Sequence, residues 1–244
     1  MDTSTDYSFP IEFRDVDYIA ALYCGNRKAV ENKLLGTGLK AGLFLNGKPI
    51  IALGLIEYKD SDLGAYNEVI LAIPVVPIEK PSSILNWLQL YSPLHKRKLG
   101  QYILHIPVTS SQSMLAGRDI WGYPKIVANI EHRFLKNYIT TKITDTATSK
   151  DQVICEGKMG IGIPIPSMDL MTYSFLNSMR LCTHVDVDAP MKWHPFANLK
   201  ITIQDVDNPI AKDLIELNVV NKNPVALIRS AKFKAKFNEG LKNS

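Results

Sequence analysis

Apolar and polar residues alternate with a period of two in six stretches of this chain: Asp17 to Tyr23, Pro49 to Glu57, Glu68 to Val75, Gln101 to Val108, Tyr138 to Thr144 and Leu199 to Gln204. A strand turns successive side chains to opposite faces, so this pattern lays one face of a sheet against a core. A seventh stretch, Val225 to Phe237, sets Lys232, Lys234 and Lys236 against Phe233, Ala235 and Phe237, which reads as a strand with one basic and one apolar face. Helical patterns are fewer: Arg27 to Leu35, Ser83 to Tyr91, Ser111 to Leu115, and Ala211 to Leu217 after Asn208-Pro209. The expected fold class is therefore α+β, predominantly antiparallel β.

With 244 residues and no internal repeat, low-complexity tract or linker, the chain is expected to form a single domain spanning residues 1–244. Its 46% hydrophobic and 21% charged residues exclude a disordered or fibrous chain. A formal charge of +4, without a dense Lys/Arg block before the last few residues, argues against a nucleic-acid partner. No apolar run reaches bilayer length, so no membrane partner is expected. The start, Met1-Asp2-Thr3-Ser4-Thr5-Asp6, lacks the basic-then-apolar order of a secretory signal, and a cytoplasmic location is the expectation.

Cys24, Cys155 and Cys182 are odd in number, far apart and without CxxC spacing, which speaks for small buried hydrophobes rather than a disulfide framework or a zinc cluster. The sequence has no GxxxxGK[ST] phosphate loop, no GxSxG elbow and no HExxH helix. Gly157-Lys158-Met159-Gly160-Ile161-Gly162 does not have dinucleotide-fingerprint spacing. The histidines are scattered singly, and only His105, inside an expected strand, reads as buried. Neither a metal site nor an organic cofactor is implied.

One lysine stands out. Gly117-Arg118-Asp119-Ile120-Trp121-Gly122-Tyr123-Pro124 leads into Lys125, with Ile126 and Val127 after it: an aromatic and aliphatic setting uncommon for an ammonium group. Pro124 fixes a backbone angle and removes a donor, so the side chain is expected at a rigid turn. The segment resembles the one that carries the Schiff-base lysine in the acetoacetate decarboxylase family, which reads G-R-E, about three variable residues, then P-K. A second match lies upstream, where Leu63-Gly64-Ala65-Tyr66-Asn67-Glu68 and Ala72-Ile73-Pro74-Val75 align without gaps to a family segment holding an active-site glutamate. Weaker similarity runs through Phe13 to Leu39, with a tyrosine at Tyr18, and into the last third.

By this resemblance Lys125 takes the place of the lysine that attacks the ketone, and Glu68 that of the glutamate. The fold it implies is a conical barrel-like antiparallel sheet with peripheral helices, assembling as a homo-oligomer. Tyr66, Tyr123 and Trp121 are expected as pocket walls. Arg118 is expected to hold the turn or to be recruited to an anionic substrate. The chain also departs from the family pattern. The family's second lysine, directly after the nucleophile, is Ile126; its other pocket glutamate falls at Leu53, carried here as a substrate-binding position; its pocket arginine falls near Val16, with Arg14 close enough to substitute if the alignment shifts.

An ordinary lysine, with a pKa of about 10.4, is almost wholly protonated at neutral pH, so a nucleophilic one needs its cation destabilised. Burial is the expected source, with Ile126 adding apolar surface in place of a cation. The resemblance implies a cofactor-independent lyase acting on a small keto acid or other carbonyl compound through an iminium on Lys125, with Glu68 carrying protons. Decarboxylation of a β-keto acid is the first expectation. Aldol condensation or dehydration on the same lysine, and a relative that binds a small molecule without turnover, are the alternatives.

Overall fold

The computed structural model describes residues 7–80, 84–146 and 150–242. Seven strands close into a barrel and are numbered here along the chain: β1 Ile11–Cys24, β2 Lys48–Ser61, β3 Tyr66–Pro77, β4 Gly100–Val108, β5 Leu170–Leu176, β6 Met179–Asp188 and β7 Ala226–Phe237. Neighbours pair in the order β1-β2-β3-β4-β5-β6-β7, and β7 returns to β1. Every seam is antiparallel except β4 with β5, which run parallel and meet at Gln101 with Thr172 and Tyr102 with Tyr173. Closure leaves these seven strands no open edge.

A second sheet of four antiparallel strands, Asn129–Phe134, Tyr138–Thr144, Asp151–Lys158 and Lys200–Ile203, packs against the outside of the barrel. Helices α1 (Arg27–Leu34) and α3 (Pro209–Glu216) join it there. This arrangement gives two apolar bodies. The outer one holds Leu53, Leu55, Leu71 and Ile73 from the barrel wall with Ile139, Ile201 and Leu214 opposite; the inner one fills part of the barrel with Phe13, Ile103, Ile106, Val185 and Phe233. Strand β3 is buried on both faces, which is why Val69-Ile70-Leu71-Ala72-Ile73 is almost uninterrupted apolar sequence.

The expected strands are present, most with extended ends; Tyr138–Thr144 keeps the bounds read from sequence. On β7 the lysines at 232, 234 and 236 are exposed while Phe233 and Ala235 are buried toward the barrel interior. The segment expected to be helical up to Tyr91 is a 3-10 helix, Ile84–Tyr91, and the expectation for Pro81 to Ser83 and for the N-terminal six residues lies outside the described residues. The helix expected to stop at Leu115 continues: α2 spans Ser111–Trp121. No cysteine forms a disulfide; Cys155 and Cys182 are buried and Cys24 is partly so. Among the described residues, no helix is long and apolar enough to cross a membrane.

Candidate active site

The position of Lys125 is set by the end of α2. Ser110 caps the helix by accepting a hydrogen bond from the Ser113 N–H, and Gly122 ends it in the left-handed region at φ 62°, where it receives the chain reversal. A Cβ at Gly122 would overlap the Phe175 carbonyl. Tyr123 and Pro124 then lead into the short strand Lys125–Val127, which pairs in parallel with β4 and places Lys125 beside Ile106. Arg118 on α2 donates through Nε to the Lys125 carbonyl at 2.7 Å and so ties helix to strand.

From there the lysine runs back across α2. A Cβ added at Gly117 would lie 2.5 Å from Lys125 Cδ and 2.7 Å from Cε, so only glycine leaves room for the aliphatic stem. Nζ, with the residue only 5% exposed, donates to Glu68 Oε2 at 2.7 Å and to Ser113 Oγ at 2.9 Å. It also lies 5.5 Å from the centroid of the Tyr66 ring. An ammonium has three N–H donors; the third has no hydrogen bond among the described residues.

Glu68, 3% exposed, comes from β3 on the face that looks into the barrel. Its Oε1 accepts from the Tyr58 hydroxyl at 3.1 Å, and the Tyr58 and Tyr66 rings stack with centroids 4.4 Å apart. Burial first, and the Glu68 charge second, hold both phenols well above the ordinary tyrosine range, so they remain protonated donors at any working pH. Tyr123 is raised as well, chiefly by burial, and shares a 2.6 Å hydrogen bond with Thr172 Oγ1.

These groups lie on the wall of a cavity of about 150 Å³ inside the barrel. The lining is overwhelmingly aliphatic and aromatic, and among the described residues its charged side chains are Lys125, Glu68 and Asp169. Among the described residues no second cation faces the cavity. No cluster of three or more His, Cys, Asp and Glu suited to a metal ion occurs among the described residues.

The cavity brings some of the residues expected from sequence together and leaves others out. Lys125, Glu68, Tyr66, Tyr123 and Trp121 all line it; Trp121 Nε1 donates to the Asn238 carbonyl at 2.9 Å and its ring stacks on Tyr123. Leu53 does not line it. Strand β2 turns Ala52, Gly54, Ile56 and Tyr58 inward, so Leu53 necessarily points out into the other apolar body. Arg118 is exposed and committed to the Lys125 carbonyl, which is its turn-holding role, and does not reach the cavity. Arg14 supplies no replacement: it pairs at the surface with Asp60 at 2.9 Å and Asp62 at 2.6 Å.

Two physical expectations also change. Ile126 is 45% exposed and points away from the cavity, so it adds no apolar surface around the amine. Burial of Nζ is real, but it comes with a carboxylate and a hydroxyl as partners rather than with apolar neighbours alone. Ser113 and Tyr58 escaped the sequence reading. Ser113 precedes Gly117 by one helical turn, so a helix carried past Leu115 would have put both on the face that meets the lysine; Tyr58 lies on the same strand parity as Gly54 and Ile56.

The family model for acetoacetate decarboxylase (ADC) matches residues 2–217. Among solved structures, acetoacetate decarboxylase from Legionella pneumophila superposes with a TM-score of 0.69 at 14% identity, covering 100% of this chain and 92% of that one. A second acetoacetate decarboxylase structure gives 0.68 at 15% identity, with 99% and 95% covered. The enduracididine biosynthesis enzyme MppR, complexed with the condensation product of pyruvate and imidazole 4-carboxaldehyde, gives 0.69 at 12% identity, with 98% and 92% covered. No curated protein sequence matches. At these identities the structures establish a shared fold, and the family follows from the match over most of the sequence: this chain belongs to the acetoacetate decarboxylase family.

Proposed function

We propose that the protein is a cofactor-independent enzyme that binds a carbonyl compound as an iminium on Lys125 and makes or breaks a carbon–carbon bond next to it by aldol-type chemistry. The observation that carries this reading is the 2.7 Å contact between Nζ and Glu68 Oε2 on the wall of an apolar cavity that has no other cation among the described residues. Proton transfer from Nζ to Glu68 leaves a free amine, which attacks the carbonyl carbon. Glu68 returns the proton to the oxygen, and loss of water gives the iminium. The carboxylate then removes a proton from the adjacent carbon, the resulting enamine attacks a second carbonyl, Glu68 gives that proton to the alkoxide so formed, and water hydrolyses the new iminium to release the product and the amine. Tyr58 and Ser113 hold Glu68 and Nζ in line throughout.

A neutral substrate suits this cavity better than an acid. A carboxylate entering it would give up hydration and meet Glu68 and Asp169, with only Lys125 opposite, whose charge Glu68 already pairs. Decarboxylation of a β-keto acid is the second reading, favoured by the family match and by the same apolar lining, because the carboxylate loses its charge as carbon dioxide leaves. The fold accommodates condensation chemistry in MppR, whose bound ligand is a condensation product. As partners we propose small carbonyl compounds, and as assembly a homo-oligomer.

Borohydride reduction in the presence of neutral ketones, aldehydes and β-keto acids, followed by mass spectrometry of the peptide carrying Lys125, tests the reading. The expected result is a reduced adduct at Lys125 with neutral carbonyl compounds, absent in Lys125→Ala. Adducts and carbon dioxide release confined to β-keto acids would select decarboxylation. No adduct with any carbonyl compound would remove the iminium.

A further inference from the structure

The cavity does not stop at the amine. From Glu68 it follows β3 through Ile70 and Ala72 to Pro74, six residues along, or roughly 20 Å of strand. Strand tilt in a barrel shortens this to roughly 15 Å along the axis. Midway, the walls are cut back: Ala20, Ala52, Gly54 and Ala72 face inward, with Ala52 paired to Ala72 and Ala20 to Gly54 in register. Leu22, Leu43, Pro74 and Leu90 line the far part. The walls of this lumen are overwhelmingly apolar along its length. Its length and narrowness favour an extended chain over a ring.

At the far part lies Gln101, opposite Pro74 on β3 and Thr172 on β5. It lines the cavity, and its Oε1 is buried without a hydrogen-bond partner among the described residues. That oxygen is shielded from the lumen as it stands; left unpaired it is costly, so rotation of the amide toward the lumen, where a ligand can bring the missing donor, is favoured.

Resting on the iminium at Lys125, we infer that the substrate is an amphiphile: a neutral carbonyl compound with an unbranched aliphatic tail along the barrel axis, ending in a hydroxyl that donates to Gln101. The two ends divide the recognition. Lys125 and Glu68 take the carbonyl, the small residues midway leave room for the chain, and Gln101 reads its length. Each methylene buried in such a lumen contributes about fourfold in affinity.

The test is the concentration of ketone giving half-maximal borohydride trapping on Lys125 in the intact protein, for acetone, methyl propyl ketone, methyl hexyl ketone and the last with a terminal hydroxyl. The expected result is a fall of at least tenfold from acetone to methyl hexyl ketone and a further fall of about threefold or more with the hydroxyl. Gln101→Leu removes the hydroxyl preference, and Ala72→Leu brings the ratio of long to short chains toward one. Trapping that occurs with every ketone but does not depend on chain length overturns the tail while leaving the iminium standing, and equal trapping with and without the hydroxyl overturns the role of Gln101. Absence of any adduct is the separate failure of the iminium itself.

Discussion

Two buried ion pairs in this molecule look alike on paper and differ in everything that matters chemically. In the barrel interior Lys125 meets Glu68; between barrel wall and outer sheet Arg229 meets Asp17, with side chains 14% and 7% exposed. Arg229 commits four of its five N–H groups to protein. Nε and Nη2 grip the two oxygens of Asp17 at 3.2 and 2.9 Å, while Nη1 donates to the Leu135 carbonyl at 2.8 Å and lies 3.5 Å from Met159 Sδ. A guanidinium gripped at every nitrogen and unable to lose its proton can only hold layers together. Lys125 is a point charge with one N–H unspent and a cavity beside it. On the proposed reading the same pairing of charges is a clamp in one place and a reactive couple in the other, and what separates them is the cation type and a neighbouring cavity.

Glu68→Gln attacks the reactive couple at its most exclusive property. The amide keeps the shape, with its oxygen toward Nζ and its NH2 toward a Tyr58 hydroxyl turned to accept, but it takes up no proton, so the initial rate of adduct formation on Lys125 should fall by about a hundredfold to ten-thousandfold. Time-resolved borohydride trapping measures this. A rate within tenfold of the parent protein would mean that Glu68 only positions the amine, and the distinction between clamp and couple would dissolve.

Breaking each pair from one side comes next. Asp17→Ala strands a guanidinium that cannot release its proton, and should cost about 3–5 kcal/mol in urea unfolding. Lys125→Met strands a carboxylate that is able to take up a proton and still has Tyr58 as a donor, so its cost should be smaller, about 2 kcal/mol or less. Equal losses would show that both pairs are structural clamps.

Between the two regions runs the strand Asn129–Phe134, tied to β3 by Asn67, whose side-chain amide donates to the Ile130 carbonyl at 2.9 Å. Its His132 shares a 2.8 Å hydrogen bond with Thr141 and stacks on Phe134. Burial pushes this imidazole down to about 4 from its ordinary 6.5. Between those two values the unfolded chain binds a proton that the folded one refuses, so stability is whole above about pH 6.5 and declines as the pH falls toward 4, by at most about 3 kcal/mol. Unfolding midpoints across this window should flatten in His132→Gln. If the slope persists in that variant, the acid sensitivity belongs to another group and the seam does not couple the two regions.

How far the sequence announced this arrangement differs from one element to the next. Strands β1 to β4 and β7 alternate or run apolar over long stretches and were legible. Strands β5 and β6 were not, because the turn joining them uses Asn177 and Ser178 at φ 50° and 64° without the glycine that usually marks such a hairpin. Lys125 and Glu68 were legible through short motifs. The helix in front of the lysine was cut short because glycine inside a helix costs about 1 kcal/mol and Gly-Arg-Asp reads as a turn; the space needed by the Lys125 stem, a tertiary requirement, explains Gly117 where local propensity cannot. Leu53 failed by one step of strand parity, which sends every side chain to the other face. The hollow lumen was invisible, since alanines at 20, 52 and 72 read as ordinary strand residues until closure of the barrel sets them around one axis.

The mildest test addresses the carboxylates. Both oxygens of Asp17 are taken by a single guanidinium, whereas Glu68 divides its two between Lys125 and the Tyr58 hydroxyl. That division gives Glu68 a second donor on which to rest once the amine has left for the substrate. Tyr58→Phe removes the hydroxyl while keeping the ring stacked on Tyr66, and a phenol bonded to a carboxylate at this 3.1 Å separation contributes about 1.5 kcal/mol, so trapping on Lys125 should slow by about tenfold with the fold intact. The effect should be confined to rate: the half-saturating ketone concentration stays within about twofold, because the hydroxyl steadies the proton carrier and not the tail. A variant that loses affinity and keeps its rate would place Tyr58 against the ligand instead, and would move the boundary between reactive couple and binding lumen from Glu68 to the tyrosine behind it.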